Sequence, residues 1–129
     1  MNESVIQVQG LTKCYGELCA VDNVSFEVAA GSVCGLLGGN GAGKTTTLSM
    51  LLGLLLPTSG AIRVLGEDML KHRYRVLGRM NFSSPYVDLP HRLSVSENLG
   101  VYARLYGIAN RAARIRRLAE DLDIAAFLN

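Results

Sequence analysis

Apolar and polar positions alternate along Val5-Ile6-Gln7-Val8-Gln9, which predicts a half-buried strand closed by Gly10. Val24-Ser25-Phe26-Glu27-Val28 repeats the pattern and stops before the turn Ala29-Ala30-Gly31-Ser32. Val33-Cys34-Gly35-Leu36-Leu37 is apolar throughout, the pattern of a strand covered on both faces in a parallel sheet. A helix follows through Thr46-Thr47-Leu48-Ser49-Met50-Leu51-Leu52 and ends near Gly53. Pro57-Thr58-Ser59-Gly60 marks a turn into a further strand, Ala61-Ile62-Arg63-Val64-Leu65, closed by Gly66. Lys71 to Val76 reads as a short helix and Leu77 to Phe82 as a strand.

The last third changes character. Ser94-Val95-Ser96-Glu97 is a capping box, in which the Ser94 hydroxyl and the Glu97 carboxylate each take a free backbone N–H. Leu99, Tyr102 and Tyr106, with Leu105 beside them, then fall on one helical face, expected to point inward until Gly107 ends the helix. Asn110 is placed to cap a second helix whose apolar line is Ile115, Leu118 and Leu122, with Arg111, Arg114 and Arg117 on another face. The element order is α/β: residues 1–92 form a core lobe and residues 93–129 begin a helical subdomain.

Composition bounds the class. The chain has 129 residues, 49% hydrophobic and 19% charged, as a core-forming globular chain does. Its most apolar stretch, Leu48 to Leu56, falls far short of the ~20 residues of a spanning helix. No basic segment leads into an apolar run at the N-terminus, so no secretory signal is read. Cys14, Cys19 and Cys34 are odd in number and form no C-x-x-C pair, which fits a reduced cytosolic compartment. His72 and His91 lack zinc-ligand spacing. The net charge of +2 conceals an asymmetry: residues 71–117 carry ten basic and two acidic side chains. Nucleic acid, anionic lipid, an acidic partner or a plain solvated helix face would each suit that stretch. Nucleic acid is not expected, because no run of adjacent Lys/Arg is interleaved with aromatics.

Gly38-Gly39-Asn40-Gly41-Ala42-Gly43-Lys44-Thr45 matches the phosphate-binding loop G-x-x-x-x-G-K-[ST] at every fixed position. Glycines let the backbone wrap around phosphate oxygens, and the following helix turns its unsatisfied N–H groups and positive dipole end toward the anion. The pattern assigns Lys44 to the β- and γ-phosphates, as the catalytic cation, and the Thr45 hydroxyl to a bound Mg²⁺.

From about Val5 onward the chain resembles the first half of an ATP-binding-cassette transporter ATPase subunit. Cys14-Tyr15-Gly16 looks like the family's aromatic loop, in which the ring stacks on adenine. Val21-Asp22-Asn23-Val24-Ser25-Phe26 is similar to its strand before the phosphate loop. Gly38 through Thr46 is similar to its version of that loop, with Gly39 where members usually carry proline. The stretches Leu51 to Gly60 and Leu93-Ser94-Val95-Ser96-Glu97-Asn98-Leu99 also resemble it, and Leu99 to Ile108 looks most like export-type subunits. The resemblance implies a P-loop NTPase-type sheet that is a partial cassette domain, with ATP and Mg²⁺ as cofactors. It also implies a membrane-spanning transporter subunit and a second ATPase subunit as partners, and a cytoplasmic location at the inner face of a membrane.

Two departures follow. The family's glutamine at the end of the next strand falls at Phe82, beside Asn81 and Ser83, and no glutamine occurs after Gln9. Which of Asn81, Phe82 or Ser83 replaces it stays open. The signature motif, the second-strand Asp-Glu and the switch histidine do not appear in this chain either, so it reads as a fragment of a longer subunit or the product of a truncated gene. Alone it is expected to bind ATP weakly or not at all and to turn it over negligibly, because phosphoryl transfer depends on groups that position water. The competing classes are a soluble cassette ATPase acting on nucleic acid or ribosomes, and a non-catalytic nucleotide-binding remnant. A P-loop kinase is disfavoured by the aromatic loop and the Pro-Thr-Ser-Gly turn.

Overall fold

In the computed structural model, which describes residues 3–84 and 88–128, two long strands form a hairpin: β1 (Ser4–Tyr15) and β2 (Leu18–Ala29). Helix α1 (Lys44–Leu51) follows, then β3 (Ser59–Val64), β4 (Glu67–Asp68), α2 (Met69–His72) and α3 (Tyr74–Leu77). Helices α4 (Val95–Leu105) and α5 (Arg111–Asp121) and a 3₁₀ turn at Ala125–Phe127 complete the chain. Two compact units result, Met1–Asn81 and Phe82–Asn129.

The first unit is built on a sheet of order β2-β1-β3-β4 in which each neighbouring pair is antiparallel. β1 runs beyond the predicted stop at Gly10, because that glycine takes φ +56 and the ladder shifts register there instead of ending. Its N–H donates to Ser25 Oγ at 2.8 Å. Gly60 fits beside it only for want of a Cβ, which would meet the Gly10 carbonyl. Val8, Leu11, Val21, Ile62 and Val64 from the sheet pack with Met50 and Leu51 of α1, Met69 of α2 and Val76 of α3.

Val33–Leu37 departs from expectation. No strand forms there, and Val33 and Leu37 are almost fully exposed. A strand needs ladder partners for its N–H and C=O groups. Every strand among the described residues pairs within the antiparallel sheet, and none adjoins residues 33–37. The segment expected to return as a strand, Leu77 to Phe82, instead closes α3 and continues without regular structure. The helix expected over Lys71–Val76 is split into α2 and α3, with Asp68 capping the first by accepting from the Leu70 N–H at 2.9 Å.

In the second unit the capping box forms as read. Ser94 Oγ accepts from Glu97 N at 3.2 Å, and a Glu97 carboxylate oxygen accepts from Ser94 N at 2.8 Å. Of the face expected to point inward, Leu99 is half-buried. Tyr102, Leu105 and Tyr106 are exposed, and α4 buries Asn98 and Ala103 instead. The Asn98 amide is satisfied by the carbonyls of Pro90, Leu93 and Ser94. Small Ala103 and Ala119 are the buried apolar side chains here, so long residues remain at the surface. Leu122 is likewise exposed, and Asn110 makes no side-chain capping bond.

Ile62 is 1% exposed at the centre of the first unit's core. Ile62→Ala should therefore lower unfolding stability by about 2–5 kcal/mol, read from the denaturant midpoint followed by circular dichroism.

Candidate functional site

The phosphate-loop residues make a turn that closes on its own lysine. Lys44 Nζ donates to the carbonyls of Gly38 and Gly39, each at 2.7 Å, so the ammonium is held by the arch of its own loop. Ala42 N donates to Gly39 O at 3.2 Å and tightens the same turn. A Cβ on Gly38 would press on the Ala42 methyl, and Gly41 takes φ +82, which L side chains rarely adopt. Gly43, at φ +78, is the N-cap of α1. A Cβ there would run into the Ala20 carbonyl and the Val21 side chain.

The start of α1 follows from that cap. The first helical bond is Thr47 N to Gly43 O at 2.8 Å, reinforced by Thr47 Oγ1 to the same carbonyl at 2.9 Å. The N–H groups of Lys44, Thr45 and Thr46 precede that bond and have no intrahelical acceptor. With the helix dipole they present positive potential to an anion. Thr45 is exposed and Thr46 half-buried, while Thr47 is buried in the packing of α1. Gly38 to Ala42 are exposed. These residues therefore suit a phosphate chain: a backbone cradle, one ammonium at its centre and a hydroxyl at its rim. No cluster of three metal-ligating side chains occurs among the described residues. Thr45 would meet a cation as one ligand beside phosphate and water oxygens.

Tyr15 stands at the end of β1, 52% exposed, immediately before the turn Gly16–Glu17. Lys13 Nζ lies 5.2 Å from its ring centroid and donates to Leu56 O at 2.9 Å. Tyr15 pairs with Leu18 across the hairpin. From Leu18 to Ala20, where Gly43 rests, is about 7 Å along the strand. The structure thus brings the aromatic side chain and the phosphate loop to one end of one hairpin. The Asn81–Ser83 segment has no regular structure.

Periodicity and motif matching missed the supports of the site. Lys13, Thr58, Ala20 and Val21 hold Tyr15 and Gly43 through tertiary contacts that leave no local pattern. The cysteines are a different case. Cys14 and Cys19 face each other across the hairpin and form a disulfide and Cys34 is free, a pairing that the odd count and the lack of a C-x-x-C pair did not anticipate. Their symmetric placement around Gly16-Glu17 was a usable signal, because a two-residue turn sets those two positions opposite.

Comparison with known proteins agrees with this geometry. The family model described as ABC transporter matches residues 21–129. "Nod factor export ATP-binding protein I" of Ralstonia nicotianae is 43% identical over 113 residues, 88% of this chain and 35% of that protein. "Bacitracin transport ATP-binding protein BcrA" of Bacillus licheniformis is 40% identical over 110 residues, 85% of this chain and 36% of that protein. A solved structure titled "Structure of ATP binding subunit of ABC transporter" superimposes with a TM-score of 0.80 at 26% identity, covering 96% of this chain and 52% of that one. The chain spans little more than a third of the length of those two curated relatives.

The cradle's tolerance for a methyl group differs sharply by position. Gly39 has open space at its Cβ direction and no positive φ, whereas Gly43 has neither freedom. Gly39→Ala should leave stability within about 0.5 kcal/mol. Gly43→Ala should cost more than about 1 kcal/mol, and paired denaturation curves check the contrast.

Proposed function

The chain belongs to the ABC transporter family, and on that premise we propose that it is the ATP-binding part of a transport ATPase subunit. The observation that carries the reading is the Lys44 ammonium fixed at the centre of the Gly38–Gly43 arch. In the proposed mode the ammonium moves from the Gly38 and Gly39 carbonyls to the β- and γ-phosphate oxygens. The N–H groups at the start of α1 and of Gly39 to Gly43 cradle the chain of phosphates, and Tyr15 covers the adenine face. Thr45 and Thr46 hydroxyls border the γ end, where Mg²⁺ supplies neutralising charge when bound. Burying adenine against Tyr15 contributes about 1–3 kcal/mol by analogy with other base–aromatic stacks.

Hydrolysis and transport belong to the longer subunit. They couple ATP turnover to substrate movement through a separate membrane-spanning protein, with a second ATPase subunit completing each site. None of the described helices is long and apolar enough to cross a membrane, so the spanning partner must be another polypeptide or segment. Residues 93–129 are the start of the helical subdomain in this reading, and the location is the cytoplasmic face of a membrane. The printed names of the two relatives speak of Nod factor export and of bacitracin transport, and the first favours an exporter. The same names give the nucleic-acid alternative no support.

Equilibrium titration with Mg·ATP into the millimolar range tests the loop. Lys44→Ala should weaken binding by at least about tenfold, the worth of charge-assisted hydrogen bonds to phosphate. Unchanged affinity would mean that phosphate is held elsewhere. Tyr15→Ala should weaken ATP by about 1–3 kcal/mol and leave inorganic tripolyphosphate unaffected. Equal loss for both ligands would reject stacking.

A further inference from the structure

We infer that Cys14 and Cys19 form a reversible thiol–disulfide site whose oxidation state sets the spacing between the Tyr15 ring and the phosphate loop. The inference rests on the proposed adenine-stacking role of Tyr15. Its structural basis is that the two arms of the hairpin are anchored to different parts of the first unit, β1 near Leu56 and Thr58 and β2 through Val21 in the core. The β1 arm is tied to the body by Lys13 Nζ on Leu56 O at 2.9 Å and by Cys14 N on Thr58 Oγ1 at 3.0 Å. Tyr15 belongs to that arm. The β2 arm carries the other half of the site, because Ala20 and Val21 are the residues against which Gly43 rests. Between the arms the ladder is irregular, with register shifts from Leu11 to Lys13 and from Lys13 to Cys14. Such interruptions leave local bonds missing and the strand end free to bend. The Cys14–Cys19 bond joins the arms at the level next to Tyr15.

Chemistry and access suit a switch rather than a permanent staple. Cys19 is exposed and Cys14 half-buried, so a thiolate from solution reaches the pair. In a reducing compartment such bonds are transient and redox-sensing. Closure joins the two thiol sulfurs and releases two protons and two electrons. A small-molecule disulfide such as oxidised glutathione accepts them as its own S–S bond breaks to give two thiols, and excess thiol reverses the exchange. In the closed state Tyr15 and the phosphate cradle are pre-organised for one ligand, which removes ordering cost from binding. In the open state the hairpin tip around Tyr15 is no longer clamped to the β2 arm and that cost returns.

The test uses the chain with Cys34→Ser, which removes the third thiol and leaves Cys14 and Cys19 as found. Alkylation followed by mass measurement reads the fraction closed across graded reduced and oxidised glutathione. ATP and tripolyphosphate are then titrated into the closed and open forms, so no substitution at the pair is required. Closure should tighten ATP by about fivefold, the low end of coupling between sites, and leave tripolyphosphate unchanged. By linkage, saturating ATP should raise the closed-to-open ratio by the same factor. A pair that stays reduced in oxidised glutathione, or equal ATP affinity in both forms, overturns the inference. Tyr15→Ala in the closed form separates the two ideas. If it weakens ATP while reduction does not, stacking stands and the switch falls; if it leaves ATP unaffected, stacking itself is wrong.

Discussion

Helix α1 begins against the main chain of β2, with Gly43 so close to the Ala20 carbonyl that no side chain fits between them. That contact fixes where the helix axis points, and therefore where its unsatisfied N–H groups gather. It also fixes the distance from those groups to the hairpin end that carries Tyr15. Lys44 then completes the arch from inside, bonding two carbonyls of its own loop. An ammonium so placed needs little rearrangement to take phosphate oxygens in their stead. Backbone approach, helix dipole and lysine charge thus converge because one residue lacks a Cβ.

The sheet behind this site is held by an ordinary apolar core, and its strength is local to the first unit. Val8, Leu11, Ile62 and Met50 are nearly sealed from water. The second unit is organised differently. Helix α4 is held by its capping box and by the Asn98 amide, and Ala103 and Ala119 are the buried apolar side chains among the described residues there. Leu105, Tyr102 and Tyr106 remain open to solvent there, as Val33 and Leu37 do in the first unit. The match to about half of a solved ATP-binding subunit fits a domain described here in part.

The phosphate loop was legible from eight residues because its chemistry is a backbone property. Glycine spacing, lysine and threonine must be where they are for any chain to wrap a triphosphate, so pattern alone marked the segment that turns around Lys44. Short-range signals did equally well at Ser94–Glu97, where both halves of the capping box lie within one turn. They failed at Val33–Leu37, because hydrophobicity reports a wish to be covered and says nothing of whether ladder partners exist. Helical periodicity failed similarly at Tyr102 and Tyr106, which stay 41% exposed because α4 turns Asn98 and Ala103 inward.

By itself the sequence determined a glycine-rich turn between an apolar segment and a helix, flanked by alternating strands. Those features depend on interactions between residues close in the chain. Tertiary structure alone decided that Gly43 would sit on Ala20, that Lys13 and Thr58 would hold the Tyr15 arm, and that the sheet would be wholly antiparallel among the described strands. Each of those outcomes joins residues far apart in sequence, where local propensity carries no information and packing settles the arrangement.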